Sequence, residues 1–177
     1  MLNTYILKKT RGLDAWIGSK YDTTKPSILI LGQSESDSPE PLSTYVPKWI
    51  SGIQTDKFFT RIFDACTATG IPVFGGLSKA AFWDTIAFYN FISGRDPADS
   101  KLLTVAHLKS GIRPLHLVLG ALRPHGVFIV GLDHARYSRP IVQHHGIPYV
   151  VVPHPRSPVT KAFLSQSFDV FVGLSTP

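Results

Sequence analysis

His154 stands directly after Val150-Val151-Val152-Pro153 and directly before Pro155-Arg156-Ser157-Pro158. The β-branched run predicts a buried parallel strand, and the prolines end it. An imidazole is thereby set at the carboxyl end of a strand, with a guanidinium and a hydroxyl in the following turn. Two further apolar runs end in the same way. Ile28-Leu29-Ile30-Leu31 leads into Gly32-Gln33-Ser34-Glu35-Ser36-Asp37, and Ile86-Ala87-Phe88-Tyr89 leads into Asn90. Ligands of open α/β sheets bind at the carboxyl ends of strands. The three ends carry complementary chemistry. An imidazole can give or take a proton near neutral pH. Glu35 and Asp37 are candidate general acid–base groups. The amide of Asn90 both donates and accepts, so it can read a polar edge.

Periodicity supplies the elements that must position these groups. Residues 1–25 are expected to form an N-terminal helical arm packed by Leu13, Trp16 and Ile17. Strand one covers Ser27 to Leu31, followed by a turn-rich loop from Ser34 to Ser43. A short helix is expected over Tyr45 to Ile50. Asp56 is placed to cap an amphipathic helix bearing Phe59, Ile62, Phe63 and Cys66 at helical spacing, which Gly70 ends. Ser78 caps a helix to Asp84, and Ile86 to Ile92 is the second strand. His107 to Leu122 reads as a helix kinked at Pro114. Val127 to Val130 is a strand, Asp133 caps the next helix, and Tyr149 to Val152 is the last core strand. Thr160 to Ser165 is a short helix and Val170 to Val172 an edge strand. This β-α-β-α-β-α-β order predicts a single α/β domain over residues 1–177, a three-layer α/β/α sandwich around a central four-stranded, mostly parallel sheet.

Composition narrows the function classes. The net charge of +6 is unevenly spread. Basic and acidic residues cancel up to Ser100. Beyond it, eight Lys and Arg face only Asp133 and Asp169. A basic face beside the His154 strand suits a polyanion such as nucleic acid. The longest apolar stretch, Leu115 to Leu132, is broken by Arg123, Pro124 and His125, so no membrane span is expected. Lys8, Lys9 and Arg11 leave no signal-peptide core, which points to a cytoplasmic protein. One cysteine, Cys66, excludes an internal disulfide and a four-cysteine metal site, and its helix position predicts a core role. His144 and His145 are adjacent on a helix end, and His116, His125 and His134 lack a zinc-type spacing, so no metal is expected. Nor is there a glycine-rich phosphate loop.

The ordered trio Gly32-Gln33-Ser34-Glu35, Phe88-Tyr89-Asn90-Phe91 and Pro153-His154-Pro155-Arg156-Ser157-Pro158 resembles the uracil-DNA glycosylase superfamily. That family has a Gly-Gln-Asp-Pro-Tyr-His or Gly-Ile-Asn-Pro-Gly loop, an apolar strand ending in Asn, and a His-Pro-Ser-Pro segment before a helix. The resemblance covers roughly residues 27–165. It implies a DNA glycosylase that extrudes a damaged or modified base and hydrolyses its N-glycosidic bond without a cofactor. The expected partner is DNA, and the protein a monomer. Gly32, Gln33, Tyr45 and Asn90 would hold the base, with Tyr45 stacking on it; Phe74, Phe82 and Trp83 are alternatives for that ring. His154 would steady the departing base, and Arg156, Ser157 and Lys161 would contact DNA phosphates. Ser34 departs from the family, which has Asp or Asn there. Glu35 or Asp37 must then take the acid–base role, or the protein is a catalytically inactive member that binds nucleic acid or protein. A hydrolase of free nucleotides or nucleosides is the third alternative.

Overall fold

Ile28, Leu29, Ile30 and Leu31 are completely buried, so this strand has apolar cover on both faces. Each such side chain contributes about 1.5–3 kcal/mol on leaving water. The computed structural model describes residues 14–34, 40–92 and 104–176. Five strands form its sheet: β1 (Ala15–Ile17), β2 (Ile28–Ser34), β3 (Ala87–Ile92), β4 (Gly126–Val130) and β5 (Tyr149–Val152). Their spatial order is β1-β3-β2-β4-β5. The last four run parallel, and β1 pairs antiparallel with β3. The helices are α1 (Leu42–Ile50), α2 (Lys57–Thr67), α3 (Lys79–Thr85), α4 (Val105–Ser110), α5 (Ile112–Leu122), α6 (Leu132–His144) and α7 (Lys161–Ser175).

Strand alternation divides the interior into two cores. Ile28, Ile30, Phe88, Phe128, Val130 and Val152 pack with residues of α1, α2, α3 and α7. Leu29, Leu31, Tyr89, Val127 and Ile129 pack with residues of α4, α5 and α6. The chain leaves β2 for β3 on one side and later returns to β4 on the other. The carboxyl ends of β2 and β4 are therefore the point where strand order reverses, the usual place for a ligand crevice.

Several expectations need correction. The sheet has five strands and is mixed, because Ala15–Ile17 adds an antiparallel edge where a helical arm is expected. Three residues are too few for periodicity to reveal a strand. The indole of Trp16 fixes this segment by donating to the Trp83 carbonyl at 2.8 Å. Residues 1–13, with Leu13 among them, lie outside the described residues. Val170 to Val172 belongs to α7, not to a strand. Leu164, Phe168, Phe171, Val172 and Ser175 are buried at helical spacing, while Val170 is exposed. The helix expected over His107 to Leu122 is two helices that meet at Gly111. Pro114 falls in the first turn of α5, where a missing N–H is harmless. Asp133 is in the first turn of α6, whose N-cap is Gly131.

Asp56 caps α2 as expected and does more. One carboxylate oxygen accepts the amides of Phe58 at 2.6 Å and Phe59 at 3.3 Å, and the other accepts the Tyr45 hydroxyl at 2.6 Å. It thus ties α1 to the start of α2. Asp56→Ala should lower unfolding free energy by about 1–3 kcal/mol, read as a shift of the urea midpoint at constant slope. Asp56→Asn, which keeps a capping oxygen, should lose less.

Candidate functional site

Gly32 and Asn90 are register partners on β2 and β3. A Cβ built on Gly32 would lie 2.6 Å from Oδ1 of Asn90 and 2.9 Å from the Phe88 ring. The missing side chain is what lets the Asn90 amide lean over β2 toward the middle of the sheet. Asn90 is buried, on the sheet face that carries Ile30 and Phe88. His154, two residues beyond the end of β5, packs on the same side. There the His154 ring meets Phe58 at 5.2 Å between centroids, and Phe58 in turn meets Phe88 at 5.9 Å. A continuous line of contacts thus runs from His154 through Phe58 and Phe88 to Gly32 and Asn90.

The turn after β5 sets the state of His154. The Arg156 amide donates to its Nδ1 at 3.2 Å, and the Ser157 amide donates to its carbonyl at 2.8 Å. An Nδ1 that accepts a hydrogen bond leaves the proton of the neutral ring on Nε2. Burial and then the Arg156 charge lower the pKa of His154, against smaller opposing effects of Asp56 and Asp133. At neutral pH the ring is an uncharged Nε2–H donor. Arg61 of α2 braces the turn from behind. Its guanidinium donates to the carbonyls of Pro155 and, at 2.6 Å, Val159.

The other face of the sheet carries Gln33. A Cβ on Gly131 would sit 3.0 Å from Oε1 of Gln33 and 3.1 Å from the His134 ring, and Gly131 adopts a φ of 126°. His134 is fully buried, bonded to the Val130 carbonyl at 3.2 Å and to Ser138 at 3.3 Å, and stacked on Phe91 at 5.5 Å. Burial pushes its pKa down to about 4.

Of the expected site residues, Gly32, Asn90 and His154 share one face, with Gln33 just across the sheet. Ser34 is the last residue of β2, opposite Ile92. Glu35 and Asp37 lie outside the described residues. Arg156 and Lys161 are exposed and Ser157 is half-buried around the turn into α7. A cavity of about 500 Å³ opens beside this turn, lined by Thr55, Asp56, Lys57, Thr60, Arg61 and Arg156. Neither Asn90 nor His154 is part of its lining, although Arg156 of the His154 turn is. Tyr45 is 4 % exposed, with its ring on Phe59 and its hydroxyl on Asp56. The aromatic ring beside His154 is Phe58. Phe74, Phe82 and Trp83 are also core residues.

Sequence reasoning missed Phe58, Lys57, Thr60 and Arg61. The available signal was their place in the first turns of a capped helix, with Phe58 next to an evident core position. It also treated the histidines separately. Packing of α5 on α6 brings Nδ1 of His116 within 3.0 Å of Nε2 of His145, with His144 alongside. Among the described residues, no three His, Cys, Asp or Glu side chains are grouped to hold a metal ion. No family model matches this chain, and neither does any curated protein or solved structure.

The lowered pKa values have a consequence for stability. Between about pH 6.5 and pH 4 the unfolded chain binds a proton that His134 refuses in the folded state. Stability should therefore fall as pH drops through that window, by about 3 kcal/mol from His134, with His154 adding in the same direction. Urea unfolding at the two ends of the window measures it. His134→Gln should flatten the dependence.

Proposed function

We propose that the chain is a DNA glycosylase-like protein, a divergent member of the uracil-DNA glycosylase superfamily with its three-layer α/β/α arrangement. The observation that carries this reading is that Asn90 and His154 lie on one sheet face, linked through Phe58 and Phe88, with His154 held as a neutral donor. Cleavage of an N-glycosidic bond places positive, oxocarbenium-like charge on the sugar and negative charge on the leaving base. The Nε2–H of His154 would hydrogen-bond the base as it takes the bond's electron pair. A neutral ring suits this role, since it stabilises the anion while holding on to its own proton. Asn90 would read the polar edge of the extruded base, and Phe58 would bound the space beside His154. Glu35, with Asp37 as the fallback, would orient water toward the sugar and take its proton. The water oxygen bonds to the anomeric carbon as the carbon–nitrogen bond breaks.

Ser34 favours a second reading. With a hydroxyl where the family has its carboxylate or amide, the same surface serves a non-hydrolytic nucleic-acid binder.

An abasic-site assay over duplexes carrying different damaged or modified bases separates the two. The first reading requires alkali-labile sites with at least one base. In single-turnover measurements, His154→Ala should slow base release by about 10²–10³-fold. Glu35→Gln should slow it by about 10²–10⁴-fold with DNA binding retained, and Asp37→Asn by less. DNA bound without base release on any substrate supports the binding protein. Unchanged release in His154→Ala overturns the glycosylase mechanism.

A further inference from the structure

The cavity between the start of α2 and the turn after His154 lies outside the base-holding residues proposed above, since neither Asn90 nor His154 lines it. Its walls are chemically distinctive. Lys57 and Arg61 come from α2, Arg156 comes from the turn, and among the described residues Asp56 is the only acid in the lining, which leaves a surplus of two positive charges there. Asp56 is already engaged by the Phe58 and Phe59 amides and the Tyr45 hydroxyl. The amides it binds are also closed to a ligand, so the helix terminus itself offers little. The cations are different. Arg61 lines the wall with its guanidinium fixed by two backbone carbonyls. Lys57 and Arg156 are exposed, and among the described residues neither forms an ion pair. Thr60 spends its hydroxyl proton on the Asp56 carbonyl at 2.7 Å, and Thr55 places a hydroxyl on the rim. A volume of about 500 Å³ exceeds the needs of a lone inorganic anion and falls in the range of small-molecule sites.

We infer that this cavity is a phosphoryl-binding subsite for a nucleotide unit, gripped by Lys57 of α2 on one wall and by Arg156 on the other. The inference rests on the glycosylase-like reading for its place beside His154. It adds the α2 wall, and it fixes where the strand phosphate next to an extruded nucleotide sits. The cations recognise a phosphodiester of a DNA strand or the phosphate of a free nucleotide by the same chemistry.

The test is binding alone, so it stands whether or not base release is found. A fluorescein-labelled oligodeoxythymidylate is titrated by anisotropy over a range of salt, with free thymidine monophosphate and thymidine as competitors. Lys57→Gln and Arg156→Gln should each weaken binding severalfold and reduce the log–log salt slope by about 0.7, the value for one phosphate on a single strand. Lys20→Gln is the control, since Lys20 lies beyond β1 at the opposite edge of the parallel strands. It should leave affinity and slope unchanged. Competition by the monophosphate, but not by thymidine, at concentrations comparable to oligonucleotide phosphate identifies free nucleotides as the source. Failure of the monophosphate to compete identifies the strand. Parent-like affinity and slope in both cavity variants, or an equal loss in Lys20→Gln, overturns the subsite.

Discussion

One backbone hydrogen bond sets the chemistry of the strand ends: the Arg156 amide donating into Nδ1 of His154. It decides which ring nitrogen carries the proton, and so which atom faces a ligand. That bond exists only because the chain turns sharply after β5. The turn holds its shape because Arg61 reaches across from α2 to two of its carbonyls. The position of α2 depends on Asp56, which caps the helix and ties it to Tyr45 of α1. The state of one imidazole therefore rests on a chain of contacts through two helices.

The other half of the site depends on absence of bulk. Gly32 stands where any side chain would collide with Asn90 and Phe88. The buried strand β2 brings its backbone to within contact of that amide, so Asn90 is held over the sheet and kept off the β1 edge. Gly131 does the same on the far face, where Gln33 and His134 lie close to the position a Cβ would take. His134 shows what this crowding costs. A fully buried ring with one backbone acceptor resists protonation, so this core becomes less stable in mild acid.

Much of this arrangement was legible in the sequence. Four apolar runs located the parallel strands to within three residues at either end, and Asp56 and Ser78 announced their helices as N-caps. The strand-end residues Gly32, Asn90 and His154 followed from polar groups placed directly after buried runs. What escaped were features created by packing between distant segments. The edge strand Ala15–Ile17 is too short to have a period and exists because β3 offers it a partner. In α7, β-branched Val170 and Val172 mimic a strand, but burial follows the helical repeat of Leu164, Phe168 and Phe171. Tyr45 was placed at the site by its distance along the chain, whereas its hydroxyl is drawn into the core by Asp56. Phe58 and Arg61 reach the His154 turn from nearly a hundred residues away, a proximity that no local pattern encodes.

The protonation of His154 tests the account at its root. Long-range nitrogen–proton correlation spectra of the ¹⁵N-labelled protein, assigned with His154→Gln, report each ring nitrogen directly. At neutral pH the account predicts a neutral ring, with Nε2 protonated and Nδ1 bare, and a midpoint for protonation below the ordinary value of about 6.5. A cationic ring at neutral pH, or a proton on Nδ1, would contradict it.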